Sequence, residues 1–234
     1  MTRILAKLDT SKLSEEELRA LDLLHGKWSG AKQFEAIRSG VVMPKVQVAG
    51  VGGAALLSPL LAWASAARGI AAIQGQRLDP GFGQYEHQLA CVVVAFDTEY
   101  YEFVGAHLPL ALAAGVPLEA IEALWQGRDD IDPADRAIVD YVRGVVSGTV
   151  TNDQFAAIAG RMSDRAIVEF TALILNILMS IRTAQAFTDQ RGFNRDDIEG
   201  MLAAARAGVL PEGRLEAYEG WFFHPDRHLD VTPE

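Results

Sequence analysis

Helix punctuation runs along this chain from end to end, while strand punctuation is nearly absent. Ser14 followed by Glu17 reads as a capping box, in which each side chain satisfies an orphan backbone donor of the first turn. Leu18, Leu21 and Leu24 then recur at helical spacing. Asp132 with Pro133 places a cap and a first-turn proline where the missing amide hydrogen costs nothing. Thr151 with Gln154, Ser163 and Asn194 mark further starts. Gly26, Gly40, Gly75, Gly115, Gly127 and Gly208 fall where helices should stop, because glycine accepts the left-handed conformation that closes a helix end. The nearest thing to a strand, 46–51, runs straight into glycine and alanine. The chain is therefore expected to be all-α. Segment 166–187 is apolar on almost every side, which predicts a central helix covered all round. Asn176, Ser180 and Thr183 interrupt it, and each needs a hydrogen-bond partner in the backbone, on a neighbouring helix or in a pocket.

At 234 residues the chain is long enough for one domain with appendages. Its net charge of -10 opposes phosphate backbones and anionic lipid, so neither nucleic acid nor a membrane surface is an expected partner. Cys91 is the single cysteine, which excludes an intrachain disulfide or a thiol relay and suits a reducing cytoplasm. Its apolar neighbours Val92, Val93 and Val94 raise the thiol pKa, so an inert core cysteine is expected. The opening MTRILAKLDTSKLSEEELRALD turns acidic at once and has no apolar core of secretory-signal length, so a cytoplasmic location is expected. Segment 46–73 is apolar, but Pro59, Arg68 and many small residues interrupt it, and no membrane helix is expected. No Walker loop, dinucleotide fingerprint or Gly-x-Ser-x-Gly elbow occurs, and no cofactor is expected. His224 and His228 have a helical metal-ligand spacing, but Pro225 breaks the helix and no third ligand is signalled. No metal is expected, and Trp221, Phe222 and Phe223 read as the anchors of a docked tail. Helices over 59–74 and 166–187 carry more apolar surface than one partner layer covers, so a homo-oligomer is expected.

Segment 88–115, QLACVVVAFDTEYYEFVGAHLPLALAAG, resembles the core motif of the carboxymuconolactone decarboxylase and alkylhydroperoxidase D-like family, whose peroxidase members read Glu-x11-Cys-x2-Cys-x3-His. Anchored on His107, that pattern falls on Gln88, Tyr100, Phe103 and His107, so both redox cysteines are replaced. The stretches HLPLALAAGVPLEAIEAL, DPADRAIVDYV and SDRAIVEFTALILNILMSIRTAQAF are also similar to the family. The resemblance implies an alkylhydroperoxidase D-like helical core over 43–190, with an N-terminal helical extension over 1–42 and a C-terminal extension and tail over 191–234.

A solitary histidine on an apolar helix is commonly a satisfied core residue, but the resemblance implies a proton-relay role for His107. Tyr100 and Phe103 share its helical face; the hydroxyl could support a developing oxyanion, or both rings could simply fill the space of the lost cysteines. Glu102 takes the second cysteine position if the alignment shifts by one residue, and there it could act as a general base. Otherwise Glu99 and Glu102 complement the dipole of a helix capped by Asp97 or Thr98. Gln88 stands where the peroxidases have glutamate and can orient a carbonyl or water; His87 points about 100° away from it on the same helix. Trp63 and Asn176 complete the expected substrate-binding set. Without the cysteine pair, thiolate attack on a peroxide fails. The resemblance then implies a cofactor-independent lyase or decarboxylase for a small cyclic or aromatic acid or lactone, with a non-catalytic ligand-binding or assembly protein as the rival and an alkylhydroperoxidase-type oxidoreductase as the third alternative.

Overall fold

The computed structural model describes residues 14–16, 59–75, 81–187, 194–213 and 215. Among these, eight helices and no strand are formed. They are α1 (Pro59–Gly75), α2 (Gln84–Asp97), α3 (Tyr101–Ala113), α4 (Leu118–Trp125), α5 (Pro133–Ser147), α6 (Asn152–Ala159), α7 (Asp164–Phe187) and α8 (Arg195–Arg206). The all-α expectation holds. The Ser14 box has its Glu17 outside the described residues, as are Gly26, Gly40 and the Trp221–Phe223 and His224/His228 motifs.

Local chemistry explains most boundaries. Asp132 accepts from the Ala134 amide at 2.7 Å ahead of Pro133. Thr151 and Gln154 form a reciprocal capping box, as do Asn194 and Asp197, and Ser163 accepts from the Ala166 amide. The start of α2 has no polar cap, so Glu86 reaches back to accept from the Gly83 amide at 2.9 Å. Helix ends close by one repeated pattern, in which a left-handed residue and its successor donate back to the last turn. It occurs at Gly115, Gly127, Gly148 and Gly208. A fifth closing, between α2 and α3, uses Glu99 at φ 52, with its amide on Phe96 O at 3.0 Å and the Tyr100 amide on Ala95 O at 2.9 Å. Thr98 therefore ends α2, its hydroxyl donating to Val94 O, and does not cap α3; nor does Asp97. Tyr100 stands at the start of α3 without a side-chain cap.

The central helix is α2, not α7. Every residue of α2 from Glu86 to Ala95 is buried, and α2 packs against α3, α4, α5 and α7. The long helix α7 packs on α1, α2, α5 and α6 through Ile167, Phe170, Ile174, Ile177 and Ile181. Its outer side stays open, with Val168 68% exposed and Leu175 and Met179 each 38% exposed. Composition could not foresee this, because an apolar residue facing outward and one facing the core read alike in the sequence. By length and composition α7 is also the described helix that could cross a membrane, although its core-facing side is packed as in a globular protein. The segment considered for a span in the sequence contributes only α1 to the described structure.

Candidate functional site

Helix α3 carries Pro109, which offers no amide hydrogen to the carbonyl of Gly105 and so loosens the ladder around His107. Helices α2 and α3 lie side by side, and this contact unites two of the expected site residues. His107 Nδ1 lies 2.8 Å from Gln88 Oε1 in a buried bond. Gln88 Nε2 donates in turn to Gln84 Oε1 at 3.0 Å, which orients the Gln88 amide with its oxygen toward the imidazole. With the Gln88 oxygen toward the imidazole, the bond is made by the tautomer that carries its proton on Nδ1, which leaves Nε2 as the basic nitrogen.

Burial sets the charge of this pair. His107 is only 7% exposed, and desolvation pushes its pKa down to about 3. His87 is held down to about 3 by burial and, secondarily, by the nearby His107. Although His87 leaves α2 in a different direction from Gln88, it is thus close enough for protonation of one imidazole to oppose the other. The centre is two neutral histidines and an amide in an apolar surround.

The remaining expected residues divide. Phe103 stacks on the His107 ring at 4.1 Å and 23°. The fully buried Tyr100 donates its hydroxyl to Glu102 Oε2 at 3.2 Å, so phenol and carboxylate form a local pair on the turn into α3. Asn176 sits on α7 against Gly69 of α1, and its Oδ1 is buried without a hydrogen-bond partner among the described residues. Trp63 belongs to α1, with its side chain outside the described residues. The Cys91 thiol is buried and pushed well up by desolvation, in line with an inert core cysteine. Among the described residues no group of three or more His, Cys, Asp or Glu side chains could hold a metal ion.

A cleft apart from these residues was not legible in the sequence. A cleft of about 460 Å³ is lined by Tyr85, Glu86, Pro117, Asp132, Ala134, Asp135 and Arg161. Tyr85 donates to the buried Asp135 at 2.8 Å, and burial together with that carboxylate raises the phenol pKa. Arg161 pairs with Glu86 at 3.5 Å and donates to Ala134 O at 2.6 Å. These residues span 85–161 in sequence, so no local pattern announces them; Asp135, an acid buried in the first turn of α5, is the one hint. His107, Gln88 and Phe103 are not in the lining.

Comparisons of the chain with family models, curated proteins and solved structures find no match. The resemblance of segment 88–115 rests on its residues alone.

Proposed function

We propose that this protein is a cofactor-independent acid/base enzyme of the lyase or decarboxylase type, acting on a small cyclic or aromatic acid or lactone, with His107 as its proton-handling group. The observation that carries this reading is the 2.8 Å bond between His107 and Gln88, which fixes the tautomer and aims one basic nitrogen from a buried, neutral imidazole. An acid substrate explains how so depressed a group can work. Its carboxylate brings the negative charge that the site lacks, raises the imidazole pKa toward neutrality, and is itself destabilised by the same apolar surround. When the bond to the carboxylate breaks, carbon dioxide leaves and the electron pair remains as an enolate. His107, having taken up a proton beside the anionic substrate, returns it to carbon. Gln88 is a positioning residue in this scheme. Phe103 packs the ring, and the Tyr100–Glu102 pair bounds the turn. A reducing cytoplasm suits a chain whose lone thiol is buried.

The rival, a non-catalytic protein that keeps the helical core, is favoured by two observations: Phe103 covers a face of His107, and the described cleft lies elsewhere. A panel of small cyclic and aromatic acids and lactones, followed by loss of ultraviolet absorbance and carbon dioxide release, separates the two. The enzyme reading expects turnover that His107→Gln lowers by about 10² to 10⁴ in kcat with melting temperature nearly unchanged. The rival expects no turnover and a variant destabilised by ~1 to 3 kcal/mol through an imperfectly paired buried polar group.

A further inference from the structure

The outer side of α7 bears an apolar seam that nothing in the described core covers. At ~100° per residue, Val168, Ala172, Leu175 and Met179 fall within a stripe about 60° wide. Their spacing is four, three and four residues, that of a two-helix seam. The opposite side of the same helix, through Ile167, Phe170, Ile174 and Ile177, packs into the protein's own core. The stripe is therefore additional to what the described core uses. It is narrower than the apolar face of an interfacial helix, and its borders lack the lysine and arginine rows with which such helices hold anionic lipid.

Charge and side-chain size select the occupant. Arg165 is neutralised within its own helix by Glu169 at 2.9 Å, which leaves Asp164 as the acidic charge at the start of the seam. At the other end stands the exposed Arg182, hydrogen-bonded to the uncharged Gln185. No charged residue lies between 170 and 181. We propose that this face docks a second copy of the chain, with the two α7 helices antiparallel about a two-fold axis. In that register Val168 of each copy meets Met179 of the other, and Asp164 comes beside Arg182. At the centre Leu175 of each copy sits over Ala172 of the other, a large side chain in the hollow left by a small one, which lets the helices approach closely. A parallel arrangement instead sets Arg182 against Arg182 and Ala172 against Ala172, which repels at one end and leaves a gap in the middle.

The test is sedimentation velocity of the full-length protein from nanomolar to high micromolar concentration, with Leu175→Glu alongside. Leu175 is exposed in the single chain, so the variant should keep its helicity and melting temperature while self-association weakens by about 30-fold or more, the effect of losing a hot-spot side chain. Disulfide trapping reads the register independently. Asp164→Cys/Arg182→Cys should give a covalent dimer under mild oxidation, and either single cysteine variant should not. A wild-type protein that stays monomeric throughout, or an oligomer indifferent to Leu175→Glu, overturns the proposal. So does trapping by Asp164→Cys alone, which reports a parallel pair. Monomeric protein that binds phosphatidylcholine–phosphatidylglycerol vesicles through this face would assign it to lipid and equally overturn the proposal.

Discussion

A histidine that remains neutral down to about pH 3 is a statement about stability as well as chemistry. His87 and His107 are both held well below their ordinary 6.5 by burial. Once unfolded they charge at 6.5, so between about pH 3 and 6.5 the unfolded chain binds more protons than the folded one. Their contribution to stability is complete above this window and is lost as pH falls through it, by up to ~1.4 kcal/mol per pH unit for each histidine. Urea denaturation at pH 7, 6 and 5 should show that fall, and His107→Gln should remove about one histidine's share while leaving the carboxylate contribution common to both proteins. An unchanged slope in the variant contradicts a neutral buried His107. Tyr100→Phe removes the hydroxyl that pairs with Glu102 without opening a cavity, and should cost about 1 kcal/mol. Measured by thermal unfolding, a much larger loss would mean that the phenol holds more than the local pair.

Between residue and fold, the turn from α2 to α3 decides where His107 stands relative to Gln88. It is closed by Glu99 in the left-handed region, which costs an ordinary residue ~1 to 2 kcal/mol that glycine avoids. Because the Glu99 side chain is exposed, Glu99→Gly should stabilise the protein by about 0.5 to 1 kcal/mol after the larger unfolded-state entropy of glycine is offset; a destabilised variant in thermal melts would show that the carboxylate makes a needed contact. At the α5–α6 contact the opposite holds. A Cβ on Gly144 would lie 2.8 Å from Gln154 Oε1 and 3.2 Å from the Val150 backbone, and Gln154 is committed to the Thr151 capping box. Gly144→Ala should therefore lower stability by ~1 to 3 kcal/mol, and a neutral result would mean that the α6 cap shifts freely. Helix starts such as Asp132, Thr151 and Asn194 were legible because capping is complete within four residues. The α2–α3 closing was not, since no glycine marks it and a glutamate takes the left-handed position.

At the scale of the molecule, the all-α class follows from that local chemistry, whereas the arrangement of helices does not. Helix α7 looked central by composition, yet it lends one side to the core and keeps Val168, Leu175 and Met179 open, while the shorter α2 is buried through ten consecutive residues. The Tyr85–Asp135–Arg161 cleft joins α2, α5 and the turn before α7, which only tertiary packing brings together. Gln88 and His107 are 19 residues apart, and without the family resemblance nothing in their spacing pairs them. That pairing is where fold and proposed chemistry meet, and ¹⁵N NMR of the histidine ring nitrogens reads it directly. Across pH 4 to 8 the prediction is an uncharged His107 with its proton on Nδ1, whose titration moves upward when a processed acid binds. A His107 that titrates near 6.5 in the free protein, or that carries its proton on Nε2, would contradict the buried, Gln88-oriented centre on which the proposed function rests.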